Sequence, residues 1–260
     1  MRKKIITLTT DFGLRDGFVG VMHGVILRQA PEAEIVDLTH EIPAHDIRAA
    51  AFLLESHSPF FPPESIHVAV VDPGVGSGRA ILLAEYDSHF FLAPDNGLLS
   101  FLRHRADAKF YHAKNKKIWL PLISQTFHGR DIFAPLAAQL AIEQNPGEAF
   151  GPITAEDIVT IPDQYPSKTA NSVAGEFIYC DRFGNLITNI RKADVPADKK
   201  LSISVGHNKL DKIANAYSES PPGDLLAIFN SFNRLEIAIN QGRANDLFPM
   251  YKHEKITISW

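Results

Sequence analysis
The chain has 260 residues, 45% of them apolar and 22% charged, enough for two modest domains or one large one. Its net charge of −4 supplies no broad basic surface and argues against a nucleic-acid partner. The lone cysteine, Cys180, excludes an intramolecular disulfide framework and fits a reducing, cytoplasmic setting.

Lys4–Thr10 (KIITLTT) is apolar and β-branched, the pattern of a buried parallel strand, and it meets Asp11 too soon to serve as a signal-peptide core or a membrane span. Gly17–Ala30 spaces its apolar residues as a helix and stops at Pro31. Glu34–Leu38 follows as a strand, and His45–Glu55 as a helix that His45 or Asp46 can cap. Ile66–Val71 is a third buried strand, Ala80–Tyr86 and His89–Ala93 are further strands, and Leu98–Arg105 and Ile132–Glu143 read as helices. The alternation predicts an α/β domain over residues 1–161 with a mainly parallel sheet covered on both faces. Residues 162–172, rich in proline, serine and other polar side chains, read as a linker. Beyond it, short runs at Gly175–Cys180, Leu186–Ile190, Leu201–Val205, Leu225–Asn230, Leu235–Ile239 and Lys255–Trp260 predict a smaller β-barrel or sandwich over 173–260.

Asp11 stands just past the first strand, at the carboxyl edge where open parallel sheets bind ligands. A carboxylate there suits the two hydroxyls of a ribose, but it equally suits a helix cap or a solvated turn, and Asp16 has a weaker claim. No G-x-G-x-x-G follows, so a nicotinamide dinucleotide has no support. Asp72–Arg79 (DPGVGSGR) has the glycines of a phosphate loop without the lysine and hydroxyl of G-x-x-x-x-G-K-S/T. Its glycines let the backbone turn and bring Asp72 near Arg79, a pairing that in isolation is more often structural than catalytic. His128, in TFHGRDIF, is one of 11 histidines and carries little weight alone. His40, Glu41, His45 and Asp46 have ligand-like identities without H-E-x-x-H spacing, and Pro43 interrupts them, so they read as a turn and cap. Cys180 has no C-x-x-C partner and reads as inert and buried. In Asp181–Asn189 (DRFGNLITN), Phe183 can stack on a base and Asn185 can read its edge; the alternative is a polar hairpin loop. Asn230, Ser231 and Glu236 lie at the edges of the following strands.

Taken in order, TTDFG, DPGVG with an arginine seven positions after the aspartate, FHGRDIF, DRFGN and NS-x-x-x-LEIA make the chain resemble the S-adenosylmethionine hydroxide adenosyltransferases, relatives of the fluorinating and chlorinating enzymes. The match runs from Thr9 to about Asn240. The resemblance implies an N-terminal α/β domain, a C-terminal β-barrel, and a homotrimer with substrate held where the N-terminal domain of one subunit meets the C-terminal domain of the next. It further implies Asp72, Arg79 and His128 as a water-activating triad. Asp11 matches the ribose-binding carboxylate and Asp16 a residue near the methionyl end. Asp181 and Ser231 match contacts to the methionine portion, and Phe183 and Asn185 the adenine site. Glu236 and the backbone of Ile239 fall in the family's C-terminal binding strand. Ser77–Gly78 and Phe232–Asn233–Arg234 depart from the usual pattern, where smaller residues are common. The implied reaction turns S-adenosylmethionine and water into adenosine, methionine and a proton, with no cofactor and no metal. A halide-using adenosyltransferase, a metal-dependent phosphoesterase and a non-catalytic adenosine-binding module are the competing readings.

Overall fold
A computed structural model describes residues 3–143, 145–162, 165–250 and 254–260. The chain divides into two compact units, one ending at Pro162 and the other continuing to Trp260.

In the first unit, β1 (Ile5–Thr10), β2 (Glu34–Thr39), β3 (Ile66–Val70), β4 (Ile81–Tyr86), β5 (His89–Pro94), β6 (Lys109–Ala113) and β7 (Phe150–Ile153) form one sheet in the order β2-β1-β3-β5-β4-β6-β7. The β2-β1-β3-β5 pairs are parallel; β4 and β7 run against their neighbours. Strands β3 and β1 are buried along nearly their whole length, which explains their unbroken apolar and threonine runs. Helices α1 (Phe18–Gln29) and α3 (Ala134–Glu143) share one core with Ile6, Leu8, Ile66, Val68, Leu83 and Leu92. The alanine-rich helix α2 (Ile47–His57) packs on β1 and β3 outside that core; Asp46, not His45, caps it, accepting the Ala49 N–H at 2.9 Å. Side chains that alternate with the shared core form a buried polar line, Thr7 Oγ1 to His67 Nδ1 at 2.9 Å and His67 Nε2 to His89 Nδ1 at 3.2 Å.

The expected helix at Leu98–Arg105 is only a 3-10 turn at Ser100–Leu102 within a run of i→i−3 backbone bonds, and the Ser100 hydroxyl bonds the Gly97 carbonyl and accepts the Ile161 N–H at 2.8 Å. The expected helix from Ile132 begins as a π-helical turn, Gly129–Phe133, and becomes α-helical at Ala134.

In the second unit, β9 (Ser172–Cys180), β10 (Leu186–Arg191), β11 (Ser202–Val205), β12 (Asn208–Leu210), β13 (Leu225–Phe229), β14 (Arg234–Ile239) and β15 (Lys255–Ser259) follow the order β12-β11-β15-β9-β10-β14-β13, all antiparallel; the short β8 (Ser167–Lys168) pairs with β9. Strand β9 turns the corner of this barrel-like sheet. Its first half pairs with β15 and its second half with β10. A Cβ on Gly175 would stand 2.2 Å from Asn189 Oδ1, which accepts the Glu176 N–H at 3.0 Å at the bend. Strand β8 and the hairpin turn after it occupy part of the segment expected as a linker, and the short helix α4 (Ala244–Leu247) follows β14. Among the described residues no helix is long and apolar enough to cross a membrane.

Candidate active site
Register places the key carboxylates of the first unit side by side. Thr10, the last residue of β1, pairs with Val70, the last of β3, so Asp11 and Asp72 both emerge at the same carboxyl edge of the sheet. Asp11 is nearly covered and accepts the His45 backbone N–H at 2.9 Å. Behind it, Thr10 Oγ1 lies 2.8 Å from His40 Nδ1 and accepts the Phe12 N–H, while Asp37 lies 2.9 Å from His40 Nε2. This line fixes the turn that carries Asp11 and gives His40 its neighbours, Thr10 and Asp37. Asp16 is exposed in the turn leading into α1, and among the described residues no hydrogen bond or ion pair joins it to the groups below.

The Asp72–Arg79 loop closes on itself. Arg79 Nε stands 2.7 Å from both Asp72 oxygens, and Nη2 donates to Oδ2 as well. The same Nη2 donates to His128 Nδ1 at 3.2 Å, so the three side chains are joined. Both members of the ion pair are almost fully shielded from solvent, which strengthens the charge-assisted bonds. Two glycines let the segments meet. Gly76 has φ +81°, and a Cβ there would come within 2.4 Å of the Gln125 carbonyl, so the glycine loop lies directly against the turn before His128. At Gly129 a Cβ would press within 3.2 Å of the Phe12 ring, the residue after Asp11. Phe12, Phe18 and Phe127 pack edge to face at 5.1–5.9 Å and bind the Asp11 turn to the His128 turn.

His128 is buried at the N-terminal end of the π-helical turn, a distortion that recurs at functional sites. Burial, then the positive charge of Arg79, hold its imidazole below the ordinary histidine pKa, against opposing pulls from Asp72, Asp131 and the Ser124 backbone. The ring is therefore neutral near pH 7, and since Nδ1 accepts from Arg79 its proton sits on the other nitrogen.

In the second unit the polar residues gather around the β9–β10 turn. Asp181 Oδ1 accepts the Asn185 N–H at 2.8 Å and Oδ2 accepts its side-chain amide at 3.0 Å, with Gly184 at φ +85° between them. Asn185 is thus buried and half committed to Asp181, leaving its amide oxygen and one N–H; Phe183 is 74% exposed beside it. Glu236 on β14 is buried and accepts the Tyr217 hydroxyl at 2.6 Å. Burial raises the Glu236 carboxyl, and the nearby Asp181 adds to this, against the hydrogen bonds from Tyr217 and Asn230. Burial and Glu236 likewise raise the Tyr217 phenol. Ser231 is exposed in the turn before β14, and the Ile239 carbonyl accepts the Gly242 N–H at 3.0 Å. Cys180, expected to be buried, is only half covered.

Two residues bonded into these clusters carry little signal in the sequence. Tyr217 lies in a polar loop without periodicity; its signal was a lone aromatic among serine and glutamate. Asp131 is wholly buried, and its signal was a charge at the head of an otherwise apolar helix. Among the described residues no group of three or more His, Cys, Asp or Glu is placed to hold a metal ion.

Family models for the SAM hydroxide adenosyltransferase N-terminal and C-terminal domains match residues 6–151 and 175–257. The chain belongs to this family. Relatives named (R)-S-adenosyl-L-methionine hydrolase include one from Salinispora arenicola, 34% identical over 98% of this chain and 97% of its own length, and one from Methanocaldococcus jannaschii, 35% identical over 98% and 95%. A fluorinase from Nocardia brasiliensis is more distant, 25% identical over 79% of this chain and 76% of its own length. A crystal structure of an uncharacterized conserved protein from Thermotoga maritima superposes with a TM-score of 0.88 at 32% identity, covering 98% of this chain and all of that one. The Asp72–Arg79–His128 grouping therefore lies within the part of this SAM hydroxide adenosyltransferase that matches the N-terminal family model, and Asp181 to Ile239 within the part that matches the C-terminal one.

Proposed function
We propose that the chain hydrolyses S-adenosylmethionine to adenosine and L-methionine. The observation that carries this reading is the single chain of contacts through Asp72, Arg79 and His128, built from segments far apart in sequence. Water attacks C5′ of the adenosyl group; the C5′–O bond forms as the C5′–S bond breaks, and the sulfur leaves with the bonding electrons. A sulfonium cation becomes a neutral thioether, so the leaving group needs no proton and no Lewis acid. The weak partner is water, with a pKa of about 15.7. Asp72 and Arg79 orient it, and the neutral His128 takes up its proton when water displaces the Arg79 N–H from Nδ1. Such proton transfer is typically worth about 10²–10⁴-fold, and in-line positioning supplies much of the rest.

Asp11 takes the ribose hydroxyls and Asp16 faces the methionyl end. Asp181 and Ser231 hold the methionine portion, Phe183 and Asn185 hold the adenine, and Glu236 and the Ile239 backbone belong to the C-terminal binding strand. These groups divide between the two units, and the apolar rim beside the triad leaves Phe18 and Leu14 exposed. Both features support a homotrimer in which neighbouring subunits complete each site. Substrate is the only small molecule required, with no metal or other cofactor, and the free thiol of Cys180 suits the cytoplasm.

The test is to incubate the pure protein with S-adenosylmethionine, with and without chloride and EDTA, and to identify products by mass. Adenosine and methionine, insensitive to both additions, are expected. 5′-Chloroadenosine as main product would favour the halide reading, and loss of activity in EDTA a metal enzyme. Binding without methionine release would leave only a binding module.

A further inference from the structure
Asp131 is wholly buried three residues after His128 and touches neither Asp72 nor Arg79 through any hydrogen bond among the described residues. A buried carboxylate is costly unless its oxygens are satisfied, and here they are. Oδ2 accepts the Ser124 N–H at 2.7 Å, and Arg130 donates to Oδ1 at 2.6 Å and to Oδ2 at 3.0 Å. The Asp131 backbone adds two bonds, its carbonyl accepting from Leu120 at 2.9 Å and its N–H donating to Phe127 at 3.2 Å. Residues 120–127 are thereby tied to the π-helical turn that carries His128. Ser124 in turn faces the imidazole with its backbone.

We propose that Asp131 is a positioning residue for the reaction, holding the His128 imidazole against Arg79 through the Ser124–Phe127 turn and through its own negative charge. The inference rests on the triad as the water site. Among the described residues the charges acting on the ring are Arg79 and Asp72 from the loop after β3 and Asp131 from the ring's own turn, and Arg130 pairs with Asp131. Asp131 favours the protonated ring and Arg79 opposes it. Arg130 is 36% exposed and partly neutralises Asp131, so removing it leaves the carboxylate less compensated.

Two substitutions separate this role from simple scaffolding. The His128 ring is titrated by NMR in ligand-free wild type, Asp131→Asn and Arg130→Gln, with His128→Gln used to assign the signal, and the pH profile of kcat is recorded beside it. Asp131→Asn should lower the titration midpoint, because the carboxylate favours the protonated ring. It should also cut kcat roughly tenfold to a hundredfold with KM little changed, the signature of a misplaced group rather than lost binding. Arg130→Gln should move the midpoint the opposite way. Midpoints that stay put, or that move in the same direction in both variants, overturn the proposal. If Asp131→Asn does not fold, Arg130→Gln decides: an upward midpoint supports the role and any other result refutes it. If the protein does not hydrolyse S-adenosylmethionine, the kinetic arm fails with the proposed function, and the titration still judges Asp131.

Discussion
The two units gather polar side chains in opposite ways. In the first, Arg79 reaches back seven residues to Asp72 and across 49 to His128, and glycines at 76 and 129 let the three turns close on one another. In the second, Asp181 bonds Asn185 four residues away in the same hairpin turn, and Tyr217 bonds Glu236 in the neighbouring strand. The first arrangement fixes a titratable ring beside a shielded ion pair, the kind of preorganised frame a reacting group requires. The second satisfies its own charges and leaves the Phe183 ring and Ser231 exposed, with part of the buried Asn185 amide uncommitted. In the proposed reaction the first region supplies the chemistry and the second the recognition.

The sharpest way to break this contrast is His128→Ala. It should lower kcat by about 10²–10⁴-fold while KM stays within a few-fold. In the unaltered enzyme kcat should rise with pH through a midpoint below 6.5, because burial and Arg79 favour the neutral ring. Steady-state kinetics across pH check both; a KM effect with kcat intact would place His128 among the binding groups. Asp11→Ala should do the reverse, raising KM roughly tenfold to a hundredfold, the worth of one or two hydrogen bonds to a charged acceptor.

The buried line Thr7–His67–His89 sharpens the comparison through stability. His67 is pushed down to about 3 by burial and by His89. Its folded midpoint lies below the ordinary 6.5, so the unfolded chain binds the extra proton between those values and stability falls as pH drops through that window. About 2 kcal/mol should be lost between pH 7 and pH 5. Urea unfolding followed by Trp119 in the first unit should show this loss, and His67→Asn should flatten it; a pH-independent midpoint would contradict the burial argument. The smallest effect expected is that of Tyr217→Phe. Removing one hydrogen bond to buried Glu236 should raise KM about threefold to tenfold with kcat unchanged; a larger loss in kcat would give the second region a part in the chemistry.

What the sequence made legible follows the same division. Buried parallel strands announced themselves by unbroken apolar runs, while the carboxylates at their ends, apart from the resemblance, read equally well as ligands, caps or turn residues. Strand β7 did not, because Gly151 and Pro152 disguise an edge strand whose register is set by β6. The helix expected at 98–105 becomes a run of i→i−3 backbone bonds, with Ser100 bonded to Gly97 and Ile161, contacts that periodicity does not register. The triad residues were recognisable by resemblance, whereas their joining through Nη2 of Arg79 depends on close approaches that only the folded backbone reveals. Asp131 and Tyr217 stayed hidden for a related reason: each acts through a partner distant in sequence or through a backbone group, and neither leaves a spacing signature.

In the proposed reaction water, held by Asp72, Arg79 and His128, is the nucleophile at C5′. Turnover in ¹⁸O-labelled water with chloride present, read by mass spectrometry of the nucleoside, tests it most directly. One ¹⁸O atom in the 5′-hydroxyl of adenosine, with methionine unlabelled, is the predicted result. A 5′-chlorinated nucleoside, or adenosine without the label, would contradict it.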